Sequence, residues 1–305
     1  MSFGQARALV ASSQSGSLLL ALAAVWVGSF FFAEIALTEV PPLTITLHRV
    51  FWAAPLLLLI VKLAGISIPT DRKIWLGYLG MGALNNAIPF SLIFWGQSQI
   101  ESGLASILNG TTAMFGAVVA GLLLKDEPLT TNKLAGAGLG LLGVGVIMGP
   151  EALSSFNLAN LAQIAILAAS LSYACASVWG KTHLSSQPPL MNACGMVIAS
   201  SLLMVPIVLF VDGVPDFNLS LPVWSALLSL STLSTVLAYV LYFAILGLAG
   251  AANLMLVTLL IPPFAIALGT LLLGESLSPS AWAGFAIIAL GFAVTDGRVF
   301  SRRRQ

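Results

Sequence analysis

Ten apolar runs of about 20 residues, joined by short polar connections, decide which solvent this chain can fold in. They lie at approximately 17–38, 43–64, 74–96, 102–124, 132–149, 157–180, 190–211, 222–247, 251–273 and 280–296. Each is long enough, as a helix, for a hydrocarbon core of about 30 Å. Only 8% of the 305 residues are charged, against about 25% in soluble domains, so the chain cannot cover a surface facing water. The runs are continuous rather than alternating, which predicts helices that close their own backbone hydrogen bonds and excludes a barrel. The expected fold class is an all-α integral membrane protein with ten transmembrane helices. The first run follows Arg7 and holds about 22 apolar residues, longer than a signal-peptide core, so it reads as an uncleaved membrane helix.

Basic residues set an orientation. Arg7, Lys62, Arg72, Lys73, Lys125, Lys133, Lys181, Arg298, Arg302, Arg303 and Arg304 all fall on one side of a ten-helix arrangement, and only Arg49 lies elsewhere. By the positive-inside rule both termini are expected in the cytoplasm. Trp75, Trp95, Trp179, Trp224 and Trp282 fall near helix ends, as interfacial anchors do, whereas Trp26 and Trp52 fall near the middle of theirs.

The chain repeats itself. "GLLLKDEPLTTNKLAGAGLGLLGVGV" from Gly121 and "GTLLLGESLSPSAWAGFAIIALGFAV" from Gly269 align without a gap. They pair Gly121 with Gly269, Glu127 with Glu275, Gly136 with Gly284 and Gly143 with Gly291. Upstream, "FSLIFWGQ" answers "YVLYFAIL", and "PPLTITLHR" from Pro41 answers "PPLMNACGM" from Pro188. The halves are 17–149 and 157–296, followed by a basic tail, 297–305. Five spans per half force the second copy to enter the membrane from the opposite side. Such inverted repeats build secondary transporters with a substrate site near the midplane. Within the last pair of stretches, His48 and Arg49 stand opposite Gly195 and Met196, so the duplication is not chemically symmetric.

The paired signatures "LLLKDEPLTTNKLAGAGLGLLGVGV" and "TLLLGESLSPSAWAGFAIIALGFAV" resemble the EamA repeat of the drug/metabolite transporter superfamily. The chain is similar, within it, to bacterial amino-acid exporters of the YddG type. The resemblance spans about residues 17 to 296. It implies two inverted five-helix repeats around a central cavity, with helices 5 and 10 at the periphery, and export of amino acids, aromatic ones included, or related small metabolites. It also implies a bacterial inner-membrane location.

Other chemistries find little support. "GLGLLG", Gly138 to Gly143, matches a dinucleotide fingerprint, but it lies inside an apolar span and reads as a small-residue helix-packing face. No phosphate-binding loop or zinc-protease motif occurs, and no nucleophile–base constellation is apparent. Cys175 and Cys194 lack metal-ligand spacing and read as packing residues. The expectation is therefore a non-enzyme with no cofactor and no metal. Its partners are the lipid bilayer and a small-molecule substrate, and no nucleic acid. A multidrug or nucleotide-sugar carrier is the alternative cargo class, and a membrane enzyme or scaffold the alternative function.

Site candidates come from polar and aromatic residues recurring at helical spacing. Trp26, Phe30 and Glu34 form one stripe, and Thr44, His48 and Trp52 another beside Arg49. Tyr78 shares a face with Asn85; Ser170, Tyr173 and Ser177 align, as do Ser231, Thr235 and Tyr239. An intramembrane arginine costs roughly 2.5–3.5 kcal/mol on insertion scales and so faces protein or a wet cavity. Glu34 and Arg49 lie at depths that permit an ion pair across the first hairpin. The repeat glutamates Glu127 and Glu275 read as caps on the helix that follows each.

Overall fold

The computed structural model describes residues 3–125, 128–148, 158–242, 244–245, 248 and 257–296. Among them it is entirely helical, without strands. Helix α1 is Phe3–Ala36, α2 is Pro42–Leu63, and α3 comprises Arg72–Gly82, the π turn Ala83–Ala87 and Ile88–Gln97. Helix α4 is broken into Ser102–Asn109 and Thr112–Leu123, and α5 is Thr131–Met148. In the second half, α6 is Leu158–His183 and α7 is Pro189–Val211. Helix α8 comprises Leu221–Ser231 and the π turn Thr232–Leu237, α9 comprises Val257–Leu268 and the π turn Gly269–Leu273, and α10 is Pro279–Asp296.

Six of these are long and apolar enough to cross a membrane: the Gly16–Ala36 part of α1, then α2, α4, α6, α7 and α8. Helices α5, α9 and α10 hold shorter apolar stretches. Helix α3 carries Asn85, Asn86 and Gln97 along an interrupted rod. Leu59, Leu63, Leu202, Phe210 and Leu271 are exposed to the surroundings, an outward apolar face that suits lipid rather than water.

The packing repeats with the sequence. Helix α1 lies against α8 and α9, while its counterpart α6 lies against α3 and α4. Helix α2 packs on its own counterpart α7, and α5 on its counterpart α10. The glycines of the repeated signature explain the last contact. A β-carbon on Gly143 would sit 2.8 Å from the Gly284 carbonyl oxygen, and one on Gly284 would sit 2.6 Å from the Gly143 carbonyl oxygen. Gly291 stands in the same relation to the Gly136 oxygen, at 2.7 Å. Thus the two backbones touch at a crossing that only small residues allow. The repeat signature is glue between the halves.

The His48–Arg49 and Gly195–Met196 asymmetry resolves in the same way. A β-carbon on Gly195 would strike the Tyr78 ring, 2.6 Å from its Cγ, so α7 keeps a glycine where α3 inserts a tyrosine. In the other half α2 carries the large residue, His48, and its carbonyl accepts a hydrogen bond from the Ser231 hydroxyl of α8 (3.0 Å).

The glycine crossing predicts a selective sensitivity. Gly143→Leu or Gly284→Leu overpacks it and lowers stability by about 1–3 kcal/mol, read as a lower unfolding temperature in detergent. Gly138→Ala and Gly145→Ala, which meet nothing within 4 Å, leave that temperature within error of the wild type.

Candidate functional site

Side chains from eight helices enclose a cavity of about 430 Å³ between the halves, within the range that encloses small ligands. No residue of α5 or α10 lines it. Three irregularities in the backbone face it. Asn85 comes from the π turn of α3, Ser234 and Thr235 from that of α8, and Asn109, Gly110 and Thr112 from the break in α4. In a bilayer such irregular backbone survives only where protein or a wet cavity satisfies the freed groups. Here the Thr112 hydroxyl donates to the Asn109 carbonyl (2.7 Å), and the Thr235 hydroxyl reaches back to the Leu230 carbonyl (2.9 Å).

Arg49 is the only charged residue among the described lining residues, and it is 6% exposed. Its Nε donates to Thr235 Oγ1 (3.1 Å), Nη1 to Ser29 Oγ (2.8 Å) and Nη2 to the Ser234 carbonyl (3.2 Å). The guanidinium carbon stands 3.8 Å from the centroid of the Phe90 ring. Neutral acceptors and a π face therefore hold the cation, and two of its five N–H groups are left over. The ion pair with Glu34 that their depths permit is not made: the partners of Arg49 among the described residues are Thr235, Ser29 and Ser234. Glu34 lies outside the cavity lining, and its Oε2 is buried without a hydrogen-bond partner among the described residues.

Seven of the fifteen residues singled out from the sequence line the cavity: Trp26, Phe30, Arg49, Asn85, Tyr173, Thr235 and Tyr239. Asn85 Nδ2 donates to the Tyr239 hydroxyl (3.3 Å) and approaches Met196 Sδ (3.6 Å), so α3, α7 and α8 meet across it. Glu34, Thr44, His48, Trp52, Tyr78, Ser170, Ser177 and Ser231 are not brought there. His48 is boxed by Trp52, Phe217 and Trp224, and its Nδ1 accepts from Trp52 Nε1 at 2.9 Å. Tyr78 is buried against Gly195, and the Ser177 hydroxyl bonds back to the Ala174 carbonyl (2.7 Å). Sequence spacing also missed Phe90, Phe94, Gln97, Asn109 and Asn192. Gln97 and Asn192 sit within a turn of a helix end, where no stripe of repeated spacing includes them.

The cavity is closed at one end and open at the other. Phe30, Arg49, Phe90, Phe94 and Gln97 are buried at the end nearest the α1–α2 loop, while exposed Pro189, the first residue of α7, lies at the mouth. Carboxylates clamp the closed end onto helix N-termini, where the unpaired N–H groups and dipole favour them. Asp212 accepts from the Thr44 amide (3.1 Å) and hydroxyl (2.7 Å) on α2, and Glu39 from the Ser220 amide (2.9 Å) at the start of α8. Glu275 accepts from the Ser102 and Gly103 amides at 2.8 and 3.1 Å. It therefore caps α4 rather than the helix following it, because Gly269 leaves its carboxylate room to turn across the interface. Glu127 lies outside the described residues.

A model of the EamA-like transporter family matches residues 14–149 and 160–295, one copy for each half. The chain belongs to that family. It is a multi-pass membrane transporter. It is 28% identical over 298 residues to a probable amino-acid metabolite efflux pump of Salmonella typhimurium, covering 93% of this chain and 95% of that one. Its identity to the Escherichia coli K12 protein of the same description is 26%. The transporter YoaV of Bacillus subtilis, described as uncharacterized, is 25% identical over 288 residues, 94% of this chain and 97% of its own. A solved crystal structure at 18% identity superposes with a TM-score of 0.66, covering 95% of this chain and 98% of its own, and shares the fold.

The clamps predict a pH and mutational signature. Asp212→Ala removes the acceptor at the start of α2 and lowers stability by about 1 kcal/mol, measured by thermal unfolding in detergent. Hydrogen bonds from the Ser220 hydroxyl and amide hold the Glu39 carboxyl below the usual carboxylate range. Its contribution is complete above that range and is lost as pH falls through the lower folded-state value. Wild type therefore loses unfolding temperature on acidification more steeply than Glu39→Gln, and equal slopes would remove Glu39 from the clamp.

Proposed function

We propose that this transporter carries amino acids, with bulky or aromatic side chains favoured, out of the cytoplasm by alternating access. The observation that carries the reading is Arg49, a buried cation that lines the cavity and meets no carboxylate among the described residues. A substrate carboxylate would take its two remaining N–H groups as charge-assisted hydrogen bonds, the stronger kind. Trp26, Phe30, Phe90, Phe94, Tyr173 and Tyr239 provide apolar and aromatic walls for a side chain. The names of the Salmonella and Escherichia relatives support the same cargo class. A nucleotide sugar suits the site less well, since its phosphates call for several converging cations.

The basic residues give the cavity a side from which cytoplasmic cargo can enter. The mouth lies at the end where Lys62, Arg72, Lys73 and Lys181 gather, which the positive-inside rule assigns to the cytoplasm, together with both termini. The form described is then inward-open, with the clamps of Asp212, Glu39 and Glu275 on the far side. A bacterial inner membrane is the proposed location.

Counterflow of labelled amino acids in proteoliposomes tests the reading. Wild type is expected to exchange phenylalanine and similar amino acids, and Arg49→Ala to lose at least tenfold in rate at equal incorporation. Arg49→Lys is expected to fail as well, because an ammonium cannot hold Thr235, Ser29 and Ser234 in the planar fork that leaves two donors over. Undiminished exchange by Arg49→Ala would overturn the assignment of the carboxylate to Arg49.

A further inference from the structure

Three amide side chains lining the cavity carry an oxygen that is buried without a hydrogen-bond partner among the described residues: Gln97 Oε1, Asn109 Oδ1 and Asn192 Oδ1. A buried acceptor left unpaired has lost its water without gaining a partner, so a ligand donor in its place is favoured. Their positions differ. Asn192 sits on the first turn of α7, near the mouth, and Asn109 at the break in α4, whose carbonyls face Ser170 of α6. Gln97 lies at the closed end and is 3% exposed.

The orientation of Gln97 is determined by its own partner. Its Nε2 donates to the Phe30 carbonyl at 3.0 Å. A carbonyl only accepts, so the amide cannot be turned over, and Oε1 is the end left for a donor. The anchor also places it. Arg49 Nη1 is held by Ser29, and Gln97 Nε2 by Phe30, consecutive residues of α1 whose Cα atoms are about 3.8 Å apart. The guanidinium carbon also stands 5.9 Å from the centroid of the Phe94 ring, one turn before Gln97 on α3, so a guanidinium with spare donors and an amide with a spare acceptor border the same stretch of α1. One turn further along α1, Glu34 Oε2 is likewise buried without a partner.

We infer that Gln97 is the ammonium-recognition residue of this transporter, accepting the α-ammonium of the amino acid whose carboxylate is held by Arg49. The inference rests on the reading of Arg49 given above and adds a direction to it. In an α-amino acid the two charged groups share one carbon, so their receptors must be neighbours, as Arg49 and Gln97 are and Asn192 is not. The head group then lies at the closed end and the side chain extends among the aromatic walls toward the mouth.

The test is competition against labelled phenylalanine counterflow by 3-phenylpropionate, which keeps the carboxylate and lacks the ammonium. On wild type, 3-phenylpropionate is expected to compete at least tenfold more weakly than phenylalanine. Gln97→Leu is expected to weaken phenylalanine about tenfold and leave 3-phenylpropionate unchanged, so that the discrimination disappears. Equal potency of the two compounds on wild type overturns the inference without any variant. Equal loss of both in Gln97→Leu overturns it too, assigning Gln97 to structure alone. If neither compound competes, and Arg49→Ala changes nothing, it is the carboxylate reading that fails. Competition by both with Arg49→Ala impaired leaves that reading standing, whatever becomes of Gln97.

Discussion

In a bilayer every backbone N–H and C=O must find its partner inside the protein, and departures from helix are allowed only where something satisfies the groups they free. The architecture of this transporter follows from that constraint. Its π turns in α3 and α8 and its break in α4 gather around one cavity, and the groups they release are used there. The Ser234 carbonyl, within a π turn, accepts from Arg49, and the same turn presents Thr235 to the guanidinium. A charge that lipid would reject is held because the helix beside it is locally unwound.

Duplication accounts for the scaffold, and divergence for the site. The π turns Ala83–Ala87 and Thr232–Leu237 begin at positions the repeat relates, in the register that sets "FSLIFWGQ" against "YVLYFAIL". Arg49 and Met196 also correspond, and both face the cavity. Their neighbours His48 and Gly195 correspond as well, and both turn toward a partner helix, one large and one small. Geometry was kept at each pair while chemistry changed. A cavity built this way has matching walls and, among its described residues, a single charge, so it can distinguish one end of a cargo from the other.

Much of this was legible in the residues. The ten spans, the inverted halves and the packing role of the glycines follow from lengths, offsets and residue sizes. Trp26, Phe30, Thr235 and Tyr239 sit on stripes that do reach the cavity. Tyr78 and Asn85 failed as a pair for a definite reason. Seven residues apart, they share a face of a regular helix, but a wider turn begins at Ala83 and rotates everything beyond it. Asn85 turns into the cavity and Tyr78 into α7. His48 and Trp52 kept their spacing and hydrogen-bond to each other outside the cavity. Glu275 could not be assigned from position alone, since the helix it caps is 172 residues away in sequence at Gly103.

The crossing of α5 and α10 carries one further meaning. Each helix belongs to a different half, neither borders the cavity among the described residues, and their backbones come together at paired glycines. Such a junction behaves as a rivet: it lets two plates turn against each other and prevents them from parting. In the alternating access proposed above, the far side would open by a rocking of the halves about this point, with the largest displacement at the helices most distant from it.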